Sequence, residues 1–451
     1  MQDDFTLAVT GDSIINRRIS MSTEASFLSL VKIIRDADVA YTHLETLIHN
    51  YEGPEIYPAA EAGWTWMRSP RYVVDELKWT GFDIVSHASN HSLDYTYGGL
   101  YSTWKALDDG GLPYSGTGRN LAEAREPAYL DTPKGRVALI SMCSSFVGWA
   151  KAGEARPDMK GRPGLNPLRF YSVVDQPTLE MIKQVATKIG WVIENIGKTW
   201  LFNAPGIHMA TYRFAEGDQP GVATVVDEDD AEGNLRSIKN ARRQADWVLV
   251  ALHNHEWDAE KDLSMPPKFV TGFARDCIDA GADAFIGQGS HSMMRGMETY
   301  KNKPIFYDPG DFFMMSNTVT KLPSDFYLRP GYSPEIRNPK ATPSEGFDAR
   351  ATLPKPLNPV LGGVGGQRML TGGPQTGPGC VVAVCDFSAD RKLTGTKIYP
   401  FTHIREPRGQ SGVPVQAEGS TAKKIIEYIA SVSAPFGTKI DYKDGIGLLK
   451  L

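Results

Sequence analysis

A chain of 451 residues, 41% hydrophobic and 22% charged, has the profile of a soluble globular protein, long enough for one large domain with insertions, and the composition excludes disordered and fibrous classes. The net charge of -5, from 48 basic and 53 acidic residues without a long run of one sign, argues against nucleic acid and anionic membrane as partners. No stretch reaches the roughly 18 to 20 consecutive apolar residues that span a bilayer. No basic, apolar leader precedes the first strand, so a cytoplasmic location is expected, or an extracellular or membrane-anchored one if a leader lies upstream. Cys143, Cys277, Cys380 and Cys385 lack CxxC spacing, which fits a reducing compartment and neither a zinc knuckle nor a disulfide scaffold.

In chain order, "FTLAVTGD", "EASFLSLVKIIRDA", "DVAYTHLE", "SPRYVVDELKWTG", "FDIVSHAS" and "YGGLYSTWKALDDGG" alternate short apolar runs with amphipathic ones. That strand–helix rhythm predicts an α/β layered fold. "PAYLDTPKGRVALISM" interrupts it as a hairpin, so the sheets are expected to be mixed. "GTGRNLAEA" lacks a dinucleotide or P-loop spacing and reads as a tight strand-to-helix turn. Residues 144–245 form a large insertion expected to shape the site, with one long helix over "TLEMIKQVATKIGWVIENI" and an acidic turn at "VVDEDDAEG". The rhythm returns at "WVLVALHN", "PPKFVTGFARDCIDAGA" and "AFIGQGS", before a hairpin at "MRGMETYKNKPIFYDPGDFF". Residues 328–379, dense in Pro and Gly, predict a long loop, and the chain closes with the hairpin "CVVAVCDFSADRKLTGTKIYPF" and the helix "STAKKIIEYIASVSAPFG".

Five apolar runs end in residues that bind metals or move protons: Asp12, Glu45, Asn90 with His91, His253 with His255, and His291. In α/β sheets ligands bind outside the carboxyl ends of the strands, so these residues are expected around one crevice. Carboxylate, amide oxygen and imidazole together suit Mn, Zn or Fe. Two such ions about 3.5–4 Å apart clamp the attacking and leaving oxygens of a hydrolysis, and a histidine off the metal serves as general acid. Singly, each residue has a plainer reading: Asp12 as a cap, Glu45 as a surface ion-pair partner, and His43, His49, His87, His208 and His403 as structural or surface histidines. The repetition at strand ends is what points to a site.

These motifs, "TGDS", "HLETL", "GFDIVSHASNHSLDYTYGGL", "VLVALHNHE", "FARDCIDAGADAFIGQGSHSMMRGMETYKNKPIFYDPGDFF" and the closing "IYP", "PRGQSG" and "SAPFGT", resemble the CapA family of poly-γ-glutamate capsule biosynthesis proteins, itself similar to calcineurin-like metallophosphoesterases. The resemblance implies a four-layer α/β/β/α sandwich in a single domain over residues 1–451. It further implies one or two divalent ions (Mn, Zn or Fe) held by Asp12, Glu45, Asn90, His253 and His291, with His91 as proton donor. Asn90 and His91 match the family's "NNH" motif. His43 stands where many relatives have Asn, Gln288 where they have His, and "DPGDF" with Asp308 and Asp311 replaces "SLGNF". His43, His255 and Asp311 are the candidates to replace a ligand lost at Gln288; His255 is counted with the metal ligands, and His43, Arg295 and Asp311 are assigned to the substrate side.

The function expected is a metal-dependent hydrolase that attacks an amide or peptide-like bond, a γ-glutamyl bond among them, through a metal-bound hydroxide. The alternatives are a phosphomonoesterase or phosphodiesterase on the same metals, and a non-catalytic binding protein in poly-γ-glutamate or capsule synthesis or export. The expected partner is a small-molecule or peptide-like substrate, and a homo-oligomer is compatible with the chain.

Overall fold

The computed structural model describes residues 4–62, 65–205, 211–219, 222–257, 264–291, 293–353 and 378–451. Two large mixed sheets dominate. A ten-stranded sheet has the main order Lys439–Lys443, Ile446–Lys450, Leu393–His403, Cys380–Phe387, Phe5–Ile14, Val39–Leu44, Ile84–Ser86, Tyr114–Ser115. The last four of these strands run parallel, and Phe5–Ile14 meets Cys380–Phe387 antiparallel. The second sheet has six strands, in the order Arg295–Tyr300, Lys303–Asp308, Ala284–Gln288, Trp247–His253, Gly135–Cys143, Ala128–Thr132. Its inner pairs are parallel and its two outer pairs antiparallel, the hairpin at 128–143 among them.

Period-two alternation along the strands assigns each residue to a core. Leu7, Val9 and Tyr41 of the larger sheet share one buried cluster with Leu139, Leu249 and Ile286 of the smaller. Phe5 stacks on Trp247 within it, ring centroids 4.3 Å apart. The alternate residues Ala8, Ala40 and Val85 instead pack on Phe27, Leu30 and Ile34 of the helix Ala25–Arg35, and on Leu77 and Leu107 of Val73–Thr80 and Thr96–Gly110. On the six-stranded sheet, Ile140, Val250 and Phe285 meet Ile238 of Glu228–Ala241 and Phe273 of Lys268–Ala280. The apolar stripe Phe27, Leu30, Val31, Ile34 has the three- and four-residue spacing of a helix with one buried face.

A separate five-stranded sheet lies within residues 170–226, in the order Val192–Ile196, Thr199–Asn203, Thr211–Glu216, Phe170–Val174, Val222–Val226, packed on the helix Gln176–Lys188. Three sequence expectations are corrected here and nearby. The helix expected over 178–196 ends at Lys188, because Gly190 takes a left-handed φ of 76° and the β-branched Val192 and Ile193 pair with the next strand. The acidic "turn" is the start of Glu228–Ala241: Asp227 caps the helix, and Glu228, Asp229 and Asp230 sit in its first turn, where the helix dipole favours negative charge. Within the Pro- and Gly-rich 328–379, Pro343–Thr352 is a helix that begins with a Thr342–Glu345 capping box. Residues 354–377 of that expected loop lie outside the described residues, as does His208. The final hairpin, Lys439–Lys443 with Ile446–Lys450, extends the larger sheet beyond the elements expected from sequence.

Candidate metal centre

Strand register assembles the centre. Asp12 pairs with His43 across the parallel strands, His43 with Ser86, and His253 with Gln288. Glu45 directly follows its strand, Asn90 and His91 lie in the turn after Ile84–Ser86, and His291 follows Ala284–Gln288. Asp12 differs from expectation. Its strand does not end before it but continues to Ile14, past a register irregularity between Val9 and Asp12. Such an irregularity re-aims a side chain. Gly11 makes this possible: a Cβ there would lie 2.0 Å from the carbonyl oxygen of Gly310, so a larger residue would push the two backbones apart. His291 holds a left-handed φ of 54°, a conformation that costs energy for a residue with a Cβ.

The side chains converge. His253 Nδ1 lies 3.5 Å from Asp12 Oδ1, and its Nε2 is 3.6 Å from Glu45 Oε1, 3.0 Å from Asn90 Oδ1 and 3.1 Å from His255 Nε2. His291 Nε2 is 3.2 Å from Glu45 Oε1, and its Nδ1 is 3.6 Å from Asp12 Oδ2 and 2.8 Å from Asp311 Oδ1. His43 stacks on His253, with Nε2 3.9 Å from Asp12 Oδ1. Among the described residues three sets have ligand atoms within 4.8 Å of one another: Asp12, His43 and His253; Glu45, His255 and His291; Asp12, His291 and Asp311.

Asp12 and Glu45 are fully buried, and all four of their carboxylate oxygens lack a hydrogen-bond partner, as do His43 Nε2 and His253 Nδ1. Among the described residues no Lys or Arg pairs with either acid. Buried charge of this kind costs several kcal/mol unless a cation offsets it. Burial, with Glu45 adding to it, holds the Asp12 carboxyl well above its usual range. Burial likewise pushes His43, His253 and His255 well down, keeping them neutral, which is the form that ligates. His291 is the exception: burial would lower its pKa, but Glu45 and Asp311 outweigh that and hold it well up. Buried carboxylates without a Lys or Arg partner, facing imidazoles most of which are neutral, fit a divalent transition metal.

His91 is arranged differently. Its Nδ1 bonds Asp94 Oδ2 at 2.6 Å, and its Nε2 faces the centre, 3.8 Å from Glu45 Oε1. Burial alone would lower its pKa, but Asp94 outweighs that and raises it. Asp94 is held in turn by the Met67 amide, 2.6 Å away.

The sequence agrees with known proteins over much of its length. Residues 6–316 match the model of the bacterial capsule synthesis protein PGA_cap family. The chain belongs to that family. Two Sinorhizobium fredii proteins, y4sH and y4uA, are each 31% identical over 454 residues, covering 100% of this chain and 94% of their own length. The capsule biosynthesis protein CapA of Bacillus anthracis is 22% identical over 69% of this chain and 60% of its own. A probable polyglutamine synthesis accessory protein of Mycobacterium tuberculosis is 28% identical over 50% of this chain and 43% of its own.

Within this PGA_cap chain, the residues assigned to the substrate side from sequence sit deeper than expected. His43 and Asp311 are buried and belong to the metal-capable sets, because strand register and the His291 hydrogen bond turn them inward. Arg295 is buried too, its guanidinium committed to Asn254 Oδ1 at 2.5 Å and to the Glu256 carbonyl, so it braces the histidine-bearing loop. Gln288 belongs to none of the three sets; its Oε1 accepts a long hydrogen bond from Tyr41 at 3.5 Å. His49, His87 and His403 belong to none of the three sets; His403 Nε2 lies 3.1 Å from the Phe312 carbonyl oxygen.

Sequence reasoning missed Asp94 and Ser86. The His-x-x-Asp spacing was a readable signal for the first. Ser86, whose Oγ bonds His43 Nδ1 at 2.7 Å, is found only through register. Beside the centre opens a cavity of about 420 Å³, lined by Asn90 and His255 together with residues such as Phe170 and Thr224. No helix among the described residues is long and apolar enough to cross a membrane.

Proposed function

We propose that this protein is a divalent-metal-dependent hydrolase of an amide or peptide-like bond, γ-glutamyl amides included, in a single domain of the four-layer α/β/β/α metallophosphoesterase kind. In this reading residues 144–245 are an insertion that shapes the mouth of the site. The observation that carries the proposal is the pair Asp12 and Glu45: two buried carboxylates that no Lys or Arg among the described residues meets, ringed by imidazoles. Asp12, His43 and His253 would hold one ion; Glu45, His255 and His291 would hold a second, with Asn90 and Asp311 alongside. Bound divalent ions supply Lewis acidity toward a scissile carbonyl and lower the pKa of water.

The chain's own residues do the rest. His91, with Nδ1 held by Asp94, carries a proton on the Nε2 that faces the centre and delivers it to the departing amine. Ser86 fixes the His43 ring, and Arg295 fixes the loop that bears His253 and His255. The distant relatives' names, capsule biosynthesis protein and probable polyglutamine synthesis accessory protein, agree with peptide-like chemistry. The test is elemental analysis of protein purified without added metal, followed by turnover of γ-glutamyl p-nitroanilide with and without chelator. Near-stoichiometric metal and chelator-sensitive release of nitroaniline are expected. Metal-free protein, or turnover indifferent to chelator, would overturn the reading; turnover of p-nitrophenyl phosphate alone would transfer it to phosphoesters.

A further inference from the structure

The cavity beside the metal centre contains a charged residue that the reaction does not use. Glu256 follows His255 and lines the cavity together with Phe146, Phe170, Trp257 and Val147. Its carboxylate accepts hydrogen bonds from Ser144 Oγ and Ser145 Oγ, each at 2.7 Å, which orients it and occupies two of its roughly four acceptor positions. Ser145 Oγ is itself fixed by the His255 amide at 2.6 Å. Among the described residues no Lys, Arg or His forms an ion pair with Glu256, and the neighbouring Arg295 contacts its main-chain carbonyl instead. The other described lining residues are largely apolar, with no Lys or Arg among them.

A carboxyl group in no direct ion pair, set among three aromatic residues, is the chemistry that recognises an organic ammonium group: the carboxylate attracts the cation, and aromatic faces attract it again through their quadrupoles. Arg295 acts on Glu256 from the far side, through the main-chain contact, and leaves the cavity face of the carboxyl open. An acidic group placed against Glu256 would meet like charge. We propose that this cavity binds the ammonium-bearing arm of the substrate, so that the bond cleaved belongs to a molecule carrying a cationic nitrogen on an apolar arm. This rests on the hydrolase reading above for its link to a reaction, but the binding site itself does not require turnover.

The probe is benzyltrimethylammonium, which has no lone pair with which to ligate a metal, compared with benzyl alcohol and benzoate by calorimetry on protein of measured metal content. The cation is expected to bind about tenfold more tightly than the alcohol; benzoate, whose carboxylate can ligate a metal, is compared on metal-depleted protein, where it should bind most weakly. Glu256→Gln should weaken the cation about tenfold and leave the alcohol and the metal content unchanged. Val147→Lys, which leaves Glu256 and its serines intact, should weaken the cation similarly and keeps the test valid if the first variant folds poorly. Metal-loaded protein that binds the cation no better than the alcohol, or a preference that survives both variants, would overturn the inference and leave the hydrolase reading standing. Protein that lacks metal yet prefers the cation would do the reverse.

Discussion

Two groups of buried acids in this molecule look alike in composition and differ in how their charge is met. At the start of the helix Glu228–Ala241, Asp230 is almost wholly buried and accepts hydrogen bonds from the Arg169 amide at 2.9 Å, Arg169 Nε at 2.7 Å and Arg125 Nη2 at 3.0 Å. Asp227 beside it pairs with Arg213 Nη1 at 2.9 Å. Both carboxylates meet guanidinium groups from the same chain. In the crevice between the two large sheets, Asp12 and Glu45 are as deeply buried, and among the described residues no Lys or Arg meets them: burial keeps His43 and His253 neutral, and His291, which Glu45 and Asp311 hold well up against burial, is shared by three carboxylates. The first group is complete and holds structure together. The second is short of positive charge, and that deficit marks it as a candidate binding site.

The contrast can be broken most severely at the ligands. Asp12→Ala or His253→Ala should strip metal from the protein and abolish turnover, as measured by elemental analysis and activity; full occupancy in both would end the assignment. Next in size is His91→Ala. Loss of a positioned general acid should lower turnover roughly 10²- to 10⁴-fold, with metal content intact and a smaller loss on substrates whose leaving group departs unprotonated. Equal losses on both kinds of substrate, or loss of metal, would show His91 acting otherwise.

A matched pair of substitutions sharpens the comparison. Asp230→Asn should destabilise the fold by about 2–3 kcal/mol in denaturant unfolding, a figure reduced from that of a fully buried pair because the Arg169 side chain is 41% exposed. Asp12→Asn, in metal-free protein near neutral pH, should stabilise it by about 1–3 kcal/mol, since it removes a carboxyl whose ionised form is favoured in the unfolded chain and disfavoured by burial in the fold. If both substitutions destabilise, the crevice is structural and the distinction fails. The smallest effect is expected at Gln288→His. With His43, His255 and Asp311 already placed in the metal-capable sets, metal stoichiometry should stay unchanged; a rise in occupancy would show that the centre lacks a ligand there.

The sequence by itself determined a good deal about this protein. The strand–helix rhythm, the mixed sheets, the hairpins at 128–143 and 380–403 and the clustering of acids and histidines after apolar runs are local properties. Side-chain period and turn chemistry are written in neighbouring residues. Boundaries in residues 144–245 were less legible, because Gly190 and the pairing of Val192–Ile196 with Thr199–Asn203 decide where a helix stops, and pairing is a contact between segments. Only the tertiary structure decided which residues face which. Register sets Asp12 against His43 and His43 against Ser86, and the approach of Gly310 to Gly11 brings Asp311 behind His291. It also turned Arg295 inward and left Glu256 facing a cavity. Those outcomes depend on strands that meet from distant parts of the chain, and a one-residue slip in their pairing would send every side chain to the opposite face.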